Sequence, residues 1–318
     1  MTDDRPADET TPAEPRIPGS DDRDDVEDAI SSGNVPLWNR ISYTRRKRLG
    51  HYGMNLLTVL LLAVIVFPLF WMLSTSLRPQ TELFTQPAPL LPESPTLEHY
   101  RALFENPDIF RYFLNSLGVA VGMVTITTTA ATLGGYGLTR IDFPFKRQAA
   151  RFILFGYMFP SILLAIPMFI FWSQLGIINT YYGLILAETA TALPFSLWLM
   201  WKFFQSVPYS LEESAQMAGA TRFRAFYQVA LPMAKPGITA VAVFSYALSW
   251  GAYTIPKIIV ASDRSKWPLT VGIDTLTQQH SVMWGQVMAA SVIMVIPPLI
   301  FIFALQRILL RGFRVGGI

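Results

Sequence analysis

Six long apolar stretches, separated by polar ones, set the pattern of this chain. They cover residues 54–76, 112–138, 149–172, 182–204, 237–260 and 286–310. Each meets the roughly 20 residues that a helix needs to cross the hydrocarbon of a bilayer. The pattern predicts an all-α, polytopic membrane protein with six transmembrane helices. Prolines fall inside the stretches at Pro68, Pro160, Pro167, Pro194, Pro256 and Pro297-Pro298. Membrane helices tolerate them because neighbouring groups re-satisfy the freed carbonyls. Ahead of the spans, residues 1–36 are rich in Asp, Glu, Pro, Thr and Ser and almost free of large apolar side chains. Such a segment cannot bury enough surface to offset its ordering entropy, so a disordered acidic tail is expected, with residues 37–318 as the membrane domain.

The polar stretch between the fourth and fifth spans, about 205–236, has a helical pattern of its own. Ser210 followed by Glu213 has the spacing of a capping box, and Glu212 and Glu213 suit the positive end of a helix. Leu211, Ala215 and Ala218 then share a face, and the two alanines would admit another backbone closely. Gly219 can turn the chain. A second short helix is expected over 221–229, exposing Arg222 and Arg224 and ending at Pro232.

Charge gives the orientation. The chain is 52% hydrophobic and 15% charged, against about one-quarter charged in soluble proteins. Its net charge of +3 hides a split, because residues 1–35 hold eleven acids and three bases, leaving +11 on the remainder. Sixteen Lys and Arg residues lie on the side that carries both termini and the 205–236 loop, and six on the other. That bias predicts a plasma-membrane protein with cytoplasmic termini and a cytoplasmic 205–236 loop. It also accounts for the basic excess without nucleic acid. On the opposite side, 78–111 and 257–284 are expected as irregular polar platforms, with a short helical candidate at 97–104.

Little points to catalysis. Cysteine is absent, which excludes disulfides and thiolate chemistry. His51, His99 and His280 are not paired at metal-ligand spacing, so no metal site is expected. No H-E-x-x-H, G-x-S-x-G or G-x-x-x-x-G-K-[ST] motif occurs, so no catalytic residues are assigned and the chain is not read as an ATPase. Glu188 is the clearest acid inside a span and is a functional candidate for that reason. Trp250 and Tyr253 join it as possible pathway residues. Gly118 and Gly122 form a G-x-x-x-G pair that predicts close helix packing. The run Gly134-Gly135-Tyr136-Gly137 is read as packing too.

The run Glu212-Glu213-Ser214-Ala215-Gln216-Met217-Ala218-Gly219-Ala220, followed by Leu231-Pro232, resembles the EAA loop of permease subunits in binding-protein-dependent ABC importers. Phe113-Leu114-Asn115-Ser116, Gly135-Tyr136-Gly137-Leu138-Thr139-Arg140, Leu193-Pro194-Phe195 and Pro268-Leu269-Thr270-Val271-Gly272 are similar to stretches of the smaller carbohydrate-uptake permease of maltose, trehalose or glycerol-phosphate type. The likeness covers about 51–318. Two stretches depart from the family: Ser214-Ala215 and Ala218-Gly219 stand where Ala-Ala and Asp-Gly are usual, and Ser249-Trp250-Gly251-Ala252-Tyr253 lacks Asn-Glu after the tryptophan.

The resemblance implies an ABC importer permease fold working by alternating access within the membrane lipid. It implies a heterodimer with a second permease, an ATPase dimer that binds the ATP, and an extracytoplasmic substrate-binding protein, with no cofactor on this chain. It assigns ATPase coupling to Glu212, Glu213, Ala215, Gly219, Ala220, Arg222, Leu231 and Pro232. The 257–284 loop is expected to meet the binding protein, and the 312–318 tail to reach the ATPase. The alternative is an ion-coupled secondary transporter, which should carry more buried acids or an inverted repeat.

Overall fold

The computed structural model describes residues 43–85, 89–277 and 282–315. The tail expected over 1–36, and the last three residues of the expected ATPase-contacting end, lie outside them. Every regular element described is helical: α1 Tyr43–Ser76, α2 Glu98–Glu105, α3 Pro107–Arg140, α4 Lys146–Gly156, α5 Ser161–Gln174, α6 Tyr181–Ser206, α7 Tyr209–Met217, α8 Arg222–Met233, α9 Lys235–Trp250, α10 Thr254–Ile259, α11 Leu269–Thr277 and α12 Trp284–Val315. Four are long and apolar enough to cross a membrane unbroken, over His51–Ser76, Pro107–Arg140, Tyr181–Ser206 and Trp284–Ile308. Two bent pairs, α4 with α5 at 96° and α8 with α9 at 70°, bring the number to six if each pair is one span. Contacts divide the chain into two units, 1–68 and 69–318. The first contains the body of α1, and α2 to α12 all belong to the second.

Two expected spans are corrected. The 149–172 stretch is not one helix: α4 stops at Gly156 and α5 restarts after Pro160, which occupies its N-cap. Proline lacks the amide for an i−4 bond and disfavours helix at the residue before it, here Phe159. The 237–260 stretch ends early, at Trp250. Pro256 belongs to the separate helix α10, near its start, where a missing amide hydrogen costs little. The 257–284 platform is also more regular than expected, with a 3₁₀ turn at Arg264–Lys266 and then α11.

The centre of the second unit is α3 against α6. A Cβ on Gly135 would lie 2.7 Å from the Met200 Cβ and 2.8 Å from the Met200–Trp201 backbone, so the two helices touch through backbone at this point. Fully buried Ala131, Met200 and Phe204 pack around that contact. The G-x-x-x-G expectation is half met: Gly122 faces Ile185, whereas Gly118 faces open space.

The far end of α3 holds the opposite loop. Asn115 donates to Ser265 O at 2.8 Å and Trp267 O at 2.9 Å, and its Oδ1 accepts from Tyr181 at 2.8 Å. Ser116 Oγ accepts from the Leu269 amide at 2.8 Å. Asn179, held at φ +55°, adds a second tie, its amide donating to Ile259 O at 2.9 Å.

Candidate coupling site and membrane cavity

Helix α7 begins earlier than its capping pattern predicts. Pro208 at φ −60° leads directly into it, so Ser210 lies inside the first turn and Glu213 is exposed. No capping box forms; Ser214 instead donates to Ser210 O at 2.8 Å. The face expected to carry Leu211, Ala215 and Ala218 together is divided. Glu212, Ala215 and Gln216 turn towards the protein, while Leu211 and Ala218 are exposed.

The rotation follows from Glu212, whose side chain is fully buried. Its Oε2 accepts from the Tyr136 hydroxyl at 2.7 Å, and its Oε1 accepts from Arg140 Nε at 2.7 Å. Arg140 Nη2 lies 2.6 Å from the same oxygen and also donates to Val207 O at 2.9 Å. The guanidinium sits 5.1 Å from the Tyr209 ring centre. Tyr136 in turn packs on Phe226 of α8, with ring centres 4.5 Å apart, and on Phe204 of α6 at 5.4 Å. The last turn of α3 therefore latches α7 by charge and α8 by aromatic contact. Glu212 faces this latch, not the surface, so of the eight residues assigned to ATPase contact it is the one that is fully buried.

Helix α7 closes as a Schellman turn. The Ala220 amide bonds Ala215 O at 3.0 Å, and the Gly219 amide bonds Gln216 O at 2.9 Å. Gly219 has φ +92°, a region that L side chains rarely enter. Thr221 then caps α8, its Oγ1 accepting from the Arg224 amide at 3.2 Å. The helix continues past the expected stop at Pro232. A wide turn over Phe226–Ala230 lets the Leu231 amide reach Phe226 O, which accommodates the proline that follows. The surface left outside is apolar as well as charged: Met217 is 89% exposed and Phe223 76%, with Tyr227, Leu211 and Arg222 beside them.

Of the three expected pathway residues, the structure brings two together. Glu188 and Tyr253 line one cavity of about 510 Å³, whereas Trp250 does not. Trp250 is buried, stacks on Tyr246 with ring centres 5.6 Å apart, and donates its indole hydrogen to Met294 O at 2.9 Å. It is a packing residue here. Outside the lining, Lys257 pairs with Asp274 at 2.7 Å, and Tyr253 donates to the same carboxylate at 3.1 Å. The Lys257 hydrogen bond holds the Asp274 carboxyl below its ordinary range. Among the described residues, no group of three His, Cys, Asp or Glu side chains could hold a metal ion.

Sequence reasoning missed Tyr136 and Arg140 as latch partners. Arg140 counted among the orientation charges, and both residues stood in a stretch similar to the family, without a role. The signal was their i, i+4 spacing at a helix end, which puts both on one face.

These features define a multi-pass helical membrane protein with a short surface helix latched to its spans. Residues 123–315 match the family of binding-protein-dependent transport system inner membrane components, and the chain belongs to that family. It is 34% identical to the diacetylchitobiose uptake system permease protein NgcG of Streptomyces coelicolor, over 79% of this chain and 83% of that protein. It is 32% identical to the inner membrane ABC transporter permease protein YcjP of Escherichia coli, over 86% of this chain and 99% of that protein. Its fold is similar to a chain of a bacterial ABC transporter involved in import of the acidic polysaccharide alginate, with TM-score 0.73, 21% identity, and 84% and 99% of the two chains covered. These similarities give the ion-coupled alternative no support.

Proposed function

We propose that this permease imports a sugar, and that a separate ATPase drives it by gripping α7 and the start of α8. The observation that carries the reading is the two-sidedness of α7. One face is fixed to α3 through Glu212; the other leaves Leu211 and Met217 open, beside Phe223 and Tyr227 of α8, to whatever covers them. Exposed apolar clusters of this kind mark protein contacts. Glu213, Ala215, Gly219, Ala220, Arg222, Leu231 and Pro232 shape or border that surface; Glu212 acts from behind it. The partners are a second permease, an ATPase dimer that binds ATP, and an extracytoplasmic binding protein. The loop and both termini are cytoplasmic, as the Lys and Arg bias supports. The sugar class is supported by relatives whose names specify diacetylchitobiose and alginate.

Closure of the ATPase dimer would move α7 as a rigid body, and the spans with it, between inward- and outward-facing states. Proteoliposomes holding this chain, its partner permease and its ATPase provide the test, with binding protein outside and labelled sugar as cargo. Uptake should require both ATP and binding protein. Uptake by this chain alone under an ion gradient would refute the proposal.

A further inference from the structure

Two interrupted helices meet at the Glu188 cavity. The gap between α4 and α5 supplies Tyr157 to its wall and the first residue of α5 supplies Ser161, and the gap between α9 and α10 supplies Tyr253. Irregular backbone at membrane depth is tolerated where it lines a cavity, and broken helices in transporters mark the places where solutes bind. The volume, about 510 Å³, lies inside the roughly 300–1,000 Å³ typical of ligand pockets.

The wall chemistry is selective. Glu188 is 2% exposed. Ser249 donates to its Oε2, while its Oε1 has no hydrogen-bond partner among the described residues. Most buried polar atoms are hydrogen-bonded, and an open carboxyl oxygen against a cavity leaves an acceptor for a donor inside it. Thr191, Ser249 and Ser161 add hydroxyls to the wall, and Tyr157 and Tyr253 add rings. No Lys, Arg or His is among the lining residues.

Resting on the permease reading above, we propose that this cavity is a solute chamber selective for neutral, hydroxyl-rich molecules, in which Glu188 accepts hydrogen bonds from solute hydroxyls. Sugar hydroxyls donate to the carboxyl, sugar C–H faces pack on the tyrosine rings, and the wall hydroxyls complete the contacts. An anionic sugar meets the opposite situation. Whether Glu188 holds its proton or not, the wall offers a uronate, sulfonate or phosphate group no positive charge to replace its lost water. The chamber therefore separates this permease from one built to pass an acidic polymer.

The absence of cysteine in this chain makes a direct test possible. Ser161→Cys in the intact importer places one thiol in the chamber wall, and its maleimide labelling on this subunit reports occupancy without any transport step. The probes are diacetylchitobiose, trehalose and maltose as neutral sugars, and digalacturonate as the acidic one. At least one neutral sugar should protect the thiol and be taken up with ATP, and digalacturonate should do neither. Glu188→Gln, which keeps the side-chain shape, and Glu188→Ala should each raise the sugar concentration needed for half-protection, by about 10–100-fold for the alanine variant. Co-purification with the partner subunits reports that the variants still fold. Protection unaltered in both variants, or digalacturonate protecting as well as the neutral sugars, overturns the proposal. If the intact importer shows sugar protection but no ATP-driven uptake, the permease reading fails while the chamber stands. No protection by any neutral sugar, with uptake intact, removes the chamber and leaves the permease reading in place.

Discussion

Breaking the Arg140–Glu212 latch gives the sharpest test of how α7 is held. Glu212 has no exposed side-chain surface, and the Arg140 side chain is 11% exposed. Truncating either partner leaves a charge buried and unpaired, at a cost of about 3–5 kcal/mol. At about 1.4 kcal/mol per decade, that shifts the docking of α7 by about 140- to 3,700-fold. Arg140→Ala should fall at the upper end, because Val207 O loses its donor and the Tyr209 ring its cation as well. Removing both charges in Arg140→Met/Glu212→Leu should cost less than either truncation alone, since no bare charge remains. That double variant still strands the Tyr136 hydroxyl, for about 1–3 kcal/mol, and adding Tyr136→Phe should recover it. Amide exchange over 209–217 in the purified assembly measures local docking, and thermal unfolding measures the total. Wild-type exchange in either single variant refutes the latch. A double variant that loses the sum of the two single losses refutes it equally.

Three further outcomes rest on particular contacts. Gly219→Ala forces a Cβ into the left-handed region and should cost about 1–2 kcal/mol, read as faster amide exchange at the α7 terminus, although the added methyl itself meets no atom within 4 Å. Gly135→Ala should lower the unfolding temperature of the assembly by driving α3 off the 200–201 backbone, whereas Gly118→Ala, in open space, should leave it unchanged. Acid should loosen the segment opposite the α7 end. The Asp263 carboxyl is held at about 2 by hydrogen bonds from Lys266 and Ser265, and that of Asp274 is lowered chiefly by Lys257. Depressed carboxylates stabilise above their unfolded value, here 3.8, and that contribution disappears as pH falls through the folded value. Amide exchange over 257–277 should therefore rise between pH 3.8 and about 2, and a flat profile there would count against both contacts.

Apolar run length made the six spans legible, but it could not show where a span breaks. Pro160 and Pro167 look alike in sequence, yet only the first interrupts its helix; Pro167 lies inside α5. The difference is set by what each neighbourhood packs against, and a linear pattern does not contain that. The same limit governs the coupling loop. A turn at Gly219 followed from residue type, because a positive φ strongly favours glycine. The inward face of α7 did not, because ordinary amphipathicity puts Leu211 inside and Glu212 outside. A buried ion pair 72 residues apart reverses that order. The separation of Trp250 from Glu188 was illegible for a related reason: an indole is as useful in a core as in a pathway, and the acceptor at Met294 lies 44 residues away.

The two ends of the protein meet in α3. Near one end Asn115 and Ser116 hold the 265–269 segment, and at the other Tyr136 and Arg140 hold α7 and α8. At 1.5 Å per residue, Asn115 and Arg140 lie about 38 Å apart along one helix. Between them Met123 forms part of the wall of the Glu188 cavity, and Gly135 locks the helix against α6. On the coupling reading proposed above, a displacement imposed on α7 would pass to α3 through a charged latch as well as to α6 through the two-residue link Val207-Pro208, whose carbonyl at Val207 the same arginine holds. Because α3 has no break over its 34 residues, such a displacement would reach the cavity wall and the far loop along one continuous helix. The broken helices α4–α5 and α9–α10 border the same cavity, so the continuous helix that carries both the backbone contact and the buried charge pair faces irregular backbone across it.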